Sequence, residues 1–219
     1  MTTRTKTDAR QLMVFTGALL EGHFVLTSGR HSGRYINKDT LYSVPHWAAR
    51  LCKLLVVPFL NEDVQVVAGP TVGGVVLSQW AAYHLNETYQ DYADPVKAVF
   101  VDEGFDKTRV LKRGYDKLVK GKRVLMVEDV LTTGDSVKKS LQTVEEAGGI
   151  IIGVAVLFNR DPENNTTKSM LPQGARLCCL VSEHIDSWPE EECPLCAEGA
   201  PISTNAGKGA EYLAREGGK

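Results

Sequence analysis

Glu128 and Asp129 close the apolar run Val124-Leu125-Met126-Val127. Two spacer residues later comes Thr132-Thr133-Gly134-Asp135-Ser136, a small polar loop that runs into a helical pattern. Such a loop presents backbone N–H groups and the positive end of a helix dipole, which makes an anion cradle. Thr133 and Ser136 add hydroxyl donors, and Gly134 allows close backbone approach or an unusual φ. The two acids repel the anion that the loop attracts, so they must hold something else. Vicinal sugar hydroxyls suit carboxylates, directly or through Mg²⁺. A ligand with a phosphate and a diol a few ångströms apart is a ribose 5-phosphate. The G-x-x-x-x-G-K-[ST] pattern of a Walker A loop is absent. An acid pair at a strand end is common by itself. The specific signal is the whole string: apolar strand, two acids, two spacers, T-T-G-x-S and a helix.

Five short runs rich in Val, Ile and Leu can position this string, at 64–69, 96–101, 123–129, 151–158 and 175–181. Being apolar on both faces, they suit central strands of a parallel sheet. Helical patterns over 75–85 and 136–147 lie between them. In the second, Val137, Leu141 and Val144 share a face, and Gly148-Gly149 closes it. Strand, helix and strand in alternation predict an α/β fold of the doubly wound kind. In such sheets ligands bind beyond the carboxyl ends of the strands, where the acid pair stands. Ahead of the sheet, Asp8 is a candidate N-cap for a helix to about Glu21, with Leu12, Phe15, Leu19 and Leu20 at helical spacing. A second helix is predicted over 45–60, with Pro45 in its first turn. The linker 102–122 is too polar and irregular for a crossover helix, and predicts a β-hairpin or a mobile flap. The segment after Trp188 is rich in Gly, Pro and Ala and is expected on the surface.

The chain has 219 residues, 43% hydrophobic and 24% charged, which suits a single α/β domain with additions. Three parts are expected: 1–45, a core over 46–187, and a tail over 188–219. A formal charge of -2 gives no pull toward nucleic acid or membrane. No apolar run approaches the roughly 20 residues of a membrane span. The opening MTTRTKTDARQ lacks the apolar segment of a secretory signal, so a cytoplasmic protein is expected. Five cysteines suggest no disulfide framework.

VLMVEDVLTTGDS closely resembles the phosphoribosyl pyrophosphate signature of type I phosphoribosyltransferases. The resemblance implies that Glu128 and Asp129 hold the ribose hydroxyls. It also implies that Thr132, Thr133, Gly134, Asp135 and Ser136 hold the 5-phosphate. Four further segments resemble the orotate branch, and the likeness spans about residues 8 to 186. FVLTSGRHSGRYINKD (24–39) resembles that branch's hood, which implies base contacts from Thr27, Ser28, Gly29 and Tyr35. VVAGPTVGGVVLS (66–78) is similar to the pyrophosphate loop, here Pro70, Thr71, Val72 and Gly73. LKRGYDKLVKGKRVLMVEDV resembles the end of the catalytic flap. LFNR resembles the D-R that ends the fourth strand, where the family's Arg contacts orotate; here it is Arg160. Arg is the natural fork for the orotate carboxylate. The plain alternative for Arg160 is a surface pair with Asp161.

Hypoxanthine-guanine enzymes carry an Asp where this chain has Thr132, and use it near the purine N7. Orotate needs no such acceptor, because its reacting nitrogen can be delivered as an anion. Adenine enzymes also lack that Asp, so Thr132 removes one competitor only. Two features depart from the orotate branch. The pyrophosphate loop has no Lys, and the R-K-E-x-K-x-H-G flap is missing. Lys107, Arg109, Lys112 and Arg113 are then the flap's source of positive charge; the alternative is a solvated polar hairpin.

What the resemblance implies is a type I phosphoribosyltransferase fold: a central, mostly parallel five-stranded sheet flanked by helices, with an N-terminal hood and a mobile flap. The implied reaction is transfer of ribose 5-phosphate from phosphoribosyl pyrophosphate to orotate, a step of pyrimidine biosynthesis. Mg²⁺ would be held mainly by substrate, and a homodimer would share its active sites through the flap. Two alternatives stay open: a phosphoribosyltransferase for another nucleobase, and a non-catalytic ligand sensor of the same fold.

Cys193-Pro194-Leu195-Cys196 is a C-x-x-C. With Cys178, Cys179 or His184 it is a candidate zinc site, but a second C-x-x-C is missing. Reduced surface thiols are the expectation. His23 and His31 lie in the hood; His31 is placed to approach the base, with a loop hydrogen bond its simpler role. Trp47 and Trp80 fall on predicted helices and are expected to pack.

Overall fold

The computed structural model describes residues 3–90, 93–163 and 167–216, with side chains throughout except at 3, 4, 107, 167, 168 and 216. In chain order α1 (Thr3–Phe15) leads into the hairpin β1 (Leu19–Val25) and β2 (His31–Ile36). Then come α2 (Asp39–Tyr42), α3 (Pro45–Val56), β3 (Val66–Pro70), α4 (Gly73–Tyr89) and β4 (Lys97–Glu103). The flap region holds β5 (Arg109–Val110) and α5 (Tyr115–Val119). β6 (Arg123–Leu131), α6 (Asp135–Glu146), β7 (Ile150–Asn159), α7 (Thr167–Met170) and β8 (Arg176–Ser182) follow. The short α8 (Pro194–Ala197) and α9 (Gly209–Glu216) come last.

All five apolar runs are strands of one sheet, ordered β5-β4-β3-β6-β7-β8. Five of these strands run parallel, and β5 adds a sixth, antiparallel to β4, with Asp102 facing Val110. That short strand is the flap linker folded back on the sheet edge. Strand alternation explains why the runs are apolar throughout. Val67, Leu125, Val127 and Leu157 face a core completed by α1, α3 and α4. Val66, Val124, Met126 and Val154 face the opposite core, closed by Val137, Leu141 and Val144 of α6. β6 lies between β3 and β7, so its carboxyl end, carrying the acid pair, opens in the middle of the sheet.

The expected helix from Asp8 to about Glu21 is corrected at its end. α1 stops at Phe15, and Gly17 takes a left-handed φ of 69° that turns the chain. Leu19 and Leu20 then pair with Ile36 and Tyr35 in a hairpin. Their helical spacing lost to this turn and to the cross-strand pairing it permits. The second helix also stops early, at Val56, and a single 3₁₀ turn over Val57–Phe59 follows. Pro58 offers no N–H to continue the α-helical ladder.

The segment after Trp188 is packed rather than loose. The Trp188 and His31 backbones exchange hydrogen bonds of 2.9 and 2.8 Å. Ser203 N–H donates to the His23 carbonyl and Lys208 N–H to the Val25 carbonyl, each at 2.7 Å. The segment therefore lies along the β1–β2 hairpin.

β3 and the start of α4 cross with no room for side chains. A Cβ on Gly69 would stand 2.5 Å from the Gly74 carbonyl oxygen. Gly69→Ala must force these backbones apart, at about 1–3 kcal/mol. The expected result is a melting temperature lower by roughly 2–12 °C in a thermal melt. An unchanged melt would contradict this crossing.

Candidate active site

β6 delivers Glu128 and Asp129 to the sheet's carboxyl edge, 7% and 5% exposed. Two buried carboxylates side by side need donors, and the neighbouring chain supplies them. Asp129 Oδ2 accepts from Lys38 Nζ at 2.7 Å and from the Tyr42 hydroxyl at 3.1 Å. Asp129 Oδ1 accepts from Val130 N–H at 2.6 Å, and Glu128 Oε1 from Asp129 N–H at 3.1 Å. Burial works against the Lys38 charge, yet Asp129, with Glu128 and Asp39 behind it, raises its pKa overall. Burial, then Asp129, pushes Tyr42 far above the ordinary phenol range, so its proton stays on to donate. Lys38 and Tyr42 were not among the predicted site residues. They lie on the far side of β3 in sequence, and no spacing rule connects them to 129. The signal available was a cation at the end of the hood, Lys38, and a phenol just after it, Tyr42.

Burial, and secondarily the Asp129 charge, raise the Glu128 pKa above its ordinary value. The folded protein thus holds this proton more tightly than the unfolded chain does. The stability Glu128 contributes is complete below its unfolded pKa and is lost as pH rises through the folded one. Glu128→Gln, neutral at every pH, should gain on the parent as pH rises, by at least about 1 kcal/mol. Ligand-free thermal melts at acidic and at mildly alkaline pH read this gap; a gap independent of pH would contradict it.

The loop after β6 turns into α6 at Gly134. Gly134 adopts a φ of 93°, and its carbonyl accepts the Lys138 N–H at 2.8 Å as α6 begins. Thr133 Oγ1 donates to Asp135 Oδ2 at 3.0 Å. From the flap, Arg109 Nη2 donates to Ser136 Oγ at 3.0 Å. Among the described residues Arg109 Nη1 is buried without a hydrogen-bond partner, and Glu103 lies 3.9 Å from it. One flap guanidinium is thereby aimed at the loop with a donor to spare. Arg113 turns elsewhere: it pairs with Asp102 and lies 5.0 Å over the Phe100 ring. Lys112 is exposed, and the Lys107 side chain lies outside the described part.

Pro70, Thr71, Val72 and Gly73 join β3 to α4 beside the acid pair. Thr71 N–H donates to the Val101 carbonyl at 3.0 Å, and Val72 is 81% exposed. A Cβ on Gly73 would fall 1.8 Å from Asp129 Oδ2, so only glycine lets the carboxylate lie against this loop.

A cleft of about 620 Å³ opens next to the loop. Thr27, Ser28 and Tyr35 line it from the hood, Thr132 and Thr133 from the loop, and Arg160 from the end of β7. Gly29, at a φ of 79°, turns the chain between β1 and β2 and is not itself among the lining residues. Among the described residues the Arg160 guanidinium makes one long hydrogen bond, from Nη2 to the Ile185 carbonyl at 3.5 Å. Burial lowers its pKa, partly offset by Asp161. The hood is stitched to the segment after β8: Ser32 Oγ donates to the Asp186 carbonyl at 2.6 Å, and Arg34 reaches Glu183 at 3.0 Å.

The cysteines are corrected in two respects. Cys193 is buried rather than a surface thiol. Cys193 and Cys196 group with His23 and His31, not with Cys178, Cys179 or His184.

The comparisons with known proteins agree with one another. Residues 44–178 match the family described as phosphoribosyl transferase domain. The chain is 36% identical over 192 residues to the orotate phosphoribosyltransferase of Caldicellulosiruptor saccharolyticus, covering 88% of this chain and 92% of that one. It is 34% identical over 195 residues to the orotate phosphoribosyltransferase of Thermus thermophilus, covering 89% and 98%. A crystal structure of Mycobacterium tuberculosis orotate phosphoribosyltransferase superposes with a TM-score of 0.62 at 22% identity, over 81% of this chain and 96% of that one. At that identity the superposition speaks for the fold.

Proposed function

The chain belongs to the phosphoribosyl transferase family, and on that footing we propose that it is an Mg²⁺-dependent orotate phosphoribosyltransferase. It moves ribose 5-phosphate from phosphoribosyl pyrophosphate to orotate and releases pyrophosphate. The observation that carries this reading is the cleft of about 620 Å³, in which hood, phosphate loop and Arg160 meet. Loop N–H groups and the Thr133 and Ser136 hydroxyls take the 5-phosphate, with Arg109 beside them. Glu128 and Asp129 take the ribose hydroxyls. The backbone of Pro70, Thr71, Val72 and Gly73 faces the pyrophosphate. Arg160 pairs with the orotate carboxylate, while Thr27, Ser28, Gly29, Tyr35 and Thr132 enclose the ring.

The acid pair suits Mg²⁺ in offering hard carboxylate oxygens, one of which, Asp129 Oδ2, is held by the Lys38 ammonium and the Tyr42 hydroxyl. Glu128 and Asp129 would meet it, and most of its other ligands would be substrate oxygens and water. When bound, the ion offsets negative charge on the departing pyrophosphate. The protein's own part is positional. It holds sugar and base in one cleft, fixes the phosphate, and screens the reacting carbon from water when the flap folds over. The transition state resembles an oxocarbenium ion, and the fixed carboxylates below the ribose favour its positive charge.

A homodimer whose flap reaches the neighbouring site completes the reading. Its support is the flap itself, where Phe105 is 90% exposed. The test is a base panel with phosphoribosyl pyrophosphate and Mg²⁺, following pyrophosphate release. Turnover with orotate, and little with uracil, adenine or hypoxanthine, is expected. Turnover with a purine but not with orotate, or with no base at all, would overturn the proposal.

A further inference from the structure

Four side chains that the transfer reaction does not use converge where the hood meets the C-terminal segment. We propose that His23, His31, Cys193 and Cys196 form a structural zinc site that clips residues 188–216 onto the hood. His23 Nε2 and His31 Nδ1 are 2.8 Å apart. Cys193 Sγ lies 3.6 Å from His23 Nε2, and Cys196 Sγ lies 3.6 Å from His23 Nε2 and 3.2 Å from His31 Nδ1. All four ligand atoms fall within 4.8 Å of one another. A tetrahedral ion with Zn–N of about 2.05 Å and Zn–S of about 2.3 Å places neighbouring N and S ligands roughly 3.5 Å apart. The cluster already has those dimensions, with the two nitrogens slightly close.

Local structure explains how the ligands meet. Val25 pairs with His31 across the hairpin, so His23, two residues back, shares that face and is a diagonal neighbour. Cys193 stands at the start of α8 and Cys196 one turn on, which sets two sulfurs side by side. His23 Nδ1 donates its proton to the Ala200 carbonyl at 2.9 Å. That bond leaves Nε2 bare and turned into the cluster, the outer hydrogen bond that metal-bound histidines make. Among the described residues His31 Nε2 is buried without a hydrogen-bond partner, and the Tyr212 ring stands edge-on at 5.3 Å. The polar contacts of the His31 side chain are thus inside the cluster.

His23, His31 and Cys193 are 3%, 0% and 3% exposed. Two thiols and two imidazoles in so dry a place satisfy one another poorly as hydrogen-bonding groups. One divalent cation satisfies all four and balances two thiolates. A closed S₂N₂ set selects zinc, and four protein ligands mark it as structural rather than catalytic. The clip bears on the cleft as well. His31 follows Thr27 and Ser28 closely in the hood, and Ser187, next to the bridging Trp188, lines the same cleft.

The test uses the full-length, untagged protein purified without added metal. Elemental analysis should find about one zinc per chain. Exchange with Co²⁺ should give the visible bands of a tetrahedral site and an ultraviolet thiolate-to-metal band. C196S and H31A should each lose the ion, while C178S and C179S keep it. Chelation should lower the melting temperature, and added Zn²⁺ should restore it. Zinc below about 0.1 per chain with no cobalt spectrum would overturn the proposal. So would a Cys193–Cys196 disulfide found by mass spectrometry, or a stoichiometric ion retained in both C196S and H31A. If these two variants fail to fold, the parent's zinc content and cobalt spectrum decide the matter.

Discussion

Asp129→Asn lowers kcat/KM for phosphoribosyl pyrophosphate by about 100- to 1,000-fold, the scale for loss of one preorganised electrostatic group. The melting temperature should stay close to the parent's. Asparagine has the same shape and keeps one oxygen for the Val130 N–H, which now binds Oδ1 at 2.6 Å; its NH2 replaces Oδ2, so the Tyr42 hydroxyl, now donating to Oδ2 at 3.1 Å, must turn to accept from it. The charge and one acceptor oxygen go, while the shape stays. Lys38, with 42% of its side chain exposed, can turn to water once its partner is neutral. The loss should fall on use of the sugar donor, because Asp129 stands just before the loop proposed to carry phosphate and is not among the residues lining the cleft. Steady-state kinetics with both substrates varied measures it. Wild-type constants would show that the acid pair does not hold the ribose.

Arg160→Ala should raise KM for orotate by roughly 10- to 150-fold, the equivalent of 1.5–3 kcal/mol for a hydrogen bond to a charged group. Its guanidinium is half-buried at the cleft and spends little on the protein, its hydrogen bond to the Ile185 carbonyl being 3.5 Å long. KM for phosphoribosyl pyrophosphate should stay within about twofold, since uniform binding of the other substrate is untouched. Arg160→Lys should recover only part of the loss, because a point charge cannot form the bidentate pair. An unchanged orotate KM in Arg160→Ala would remove Arg160 from the base site.

Local signals made the sheet legible. Runs such as Val124–Val127 are apolar on both faces because each strand is covered on both sides, and no helix of that length was an alternative. The loop from Thr132 to Ser136 was legible for a related reason: strand, turn and helix are contiguous in the chain. Leu19 and Leu20 were misread, since their spacing suits a helix and the outcome turned on Gly17. Lys38 and Tyr42 were missed because their contact with Asp129 joins segments far apart in the chain, 87 residues in the case of Tyr42. The histidine partners of the C-x-x-C were missed likewise. They come from a hairpin more than 160 residues away, and only the return of the C-terminal segment onto β1 and β2 brings them together. What the chain places near itself could be read, and what tertiary folding brings together could not.

A crystal structure with orotidine 5'-monophosphate bound tests the central claim most directly. The phosphate should lie on the backbone of residues 132–136, the ribose hydroxyls should face Glu128 and Asp129, and the base carboxylate should stand within hydrogen-bonding distance of Arg160. A phosphate bound elsewhere, or a base carboxylate turned away from Arg160 toward solvent, would contradict it.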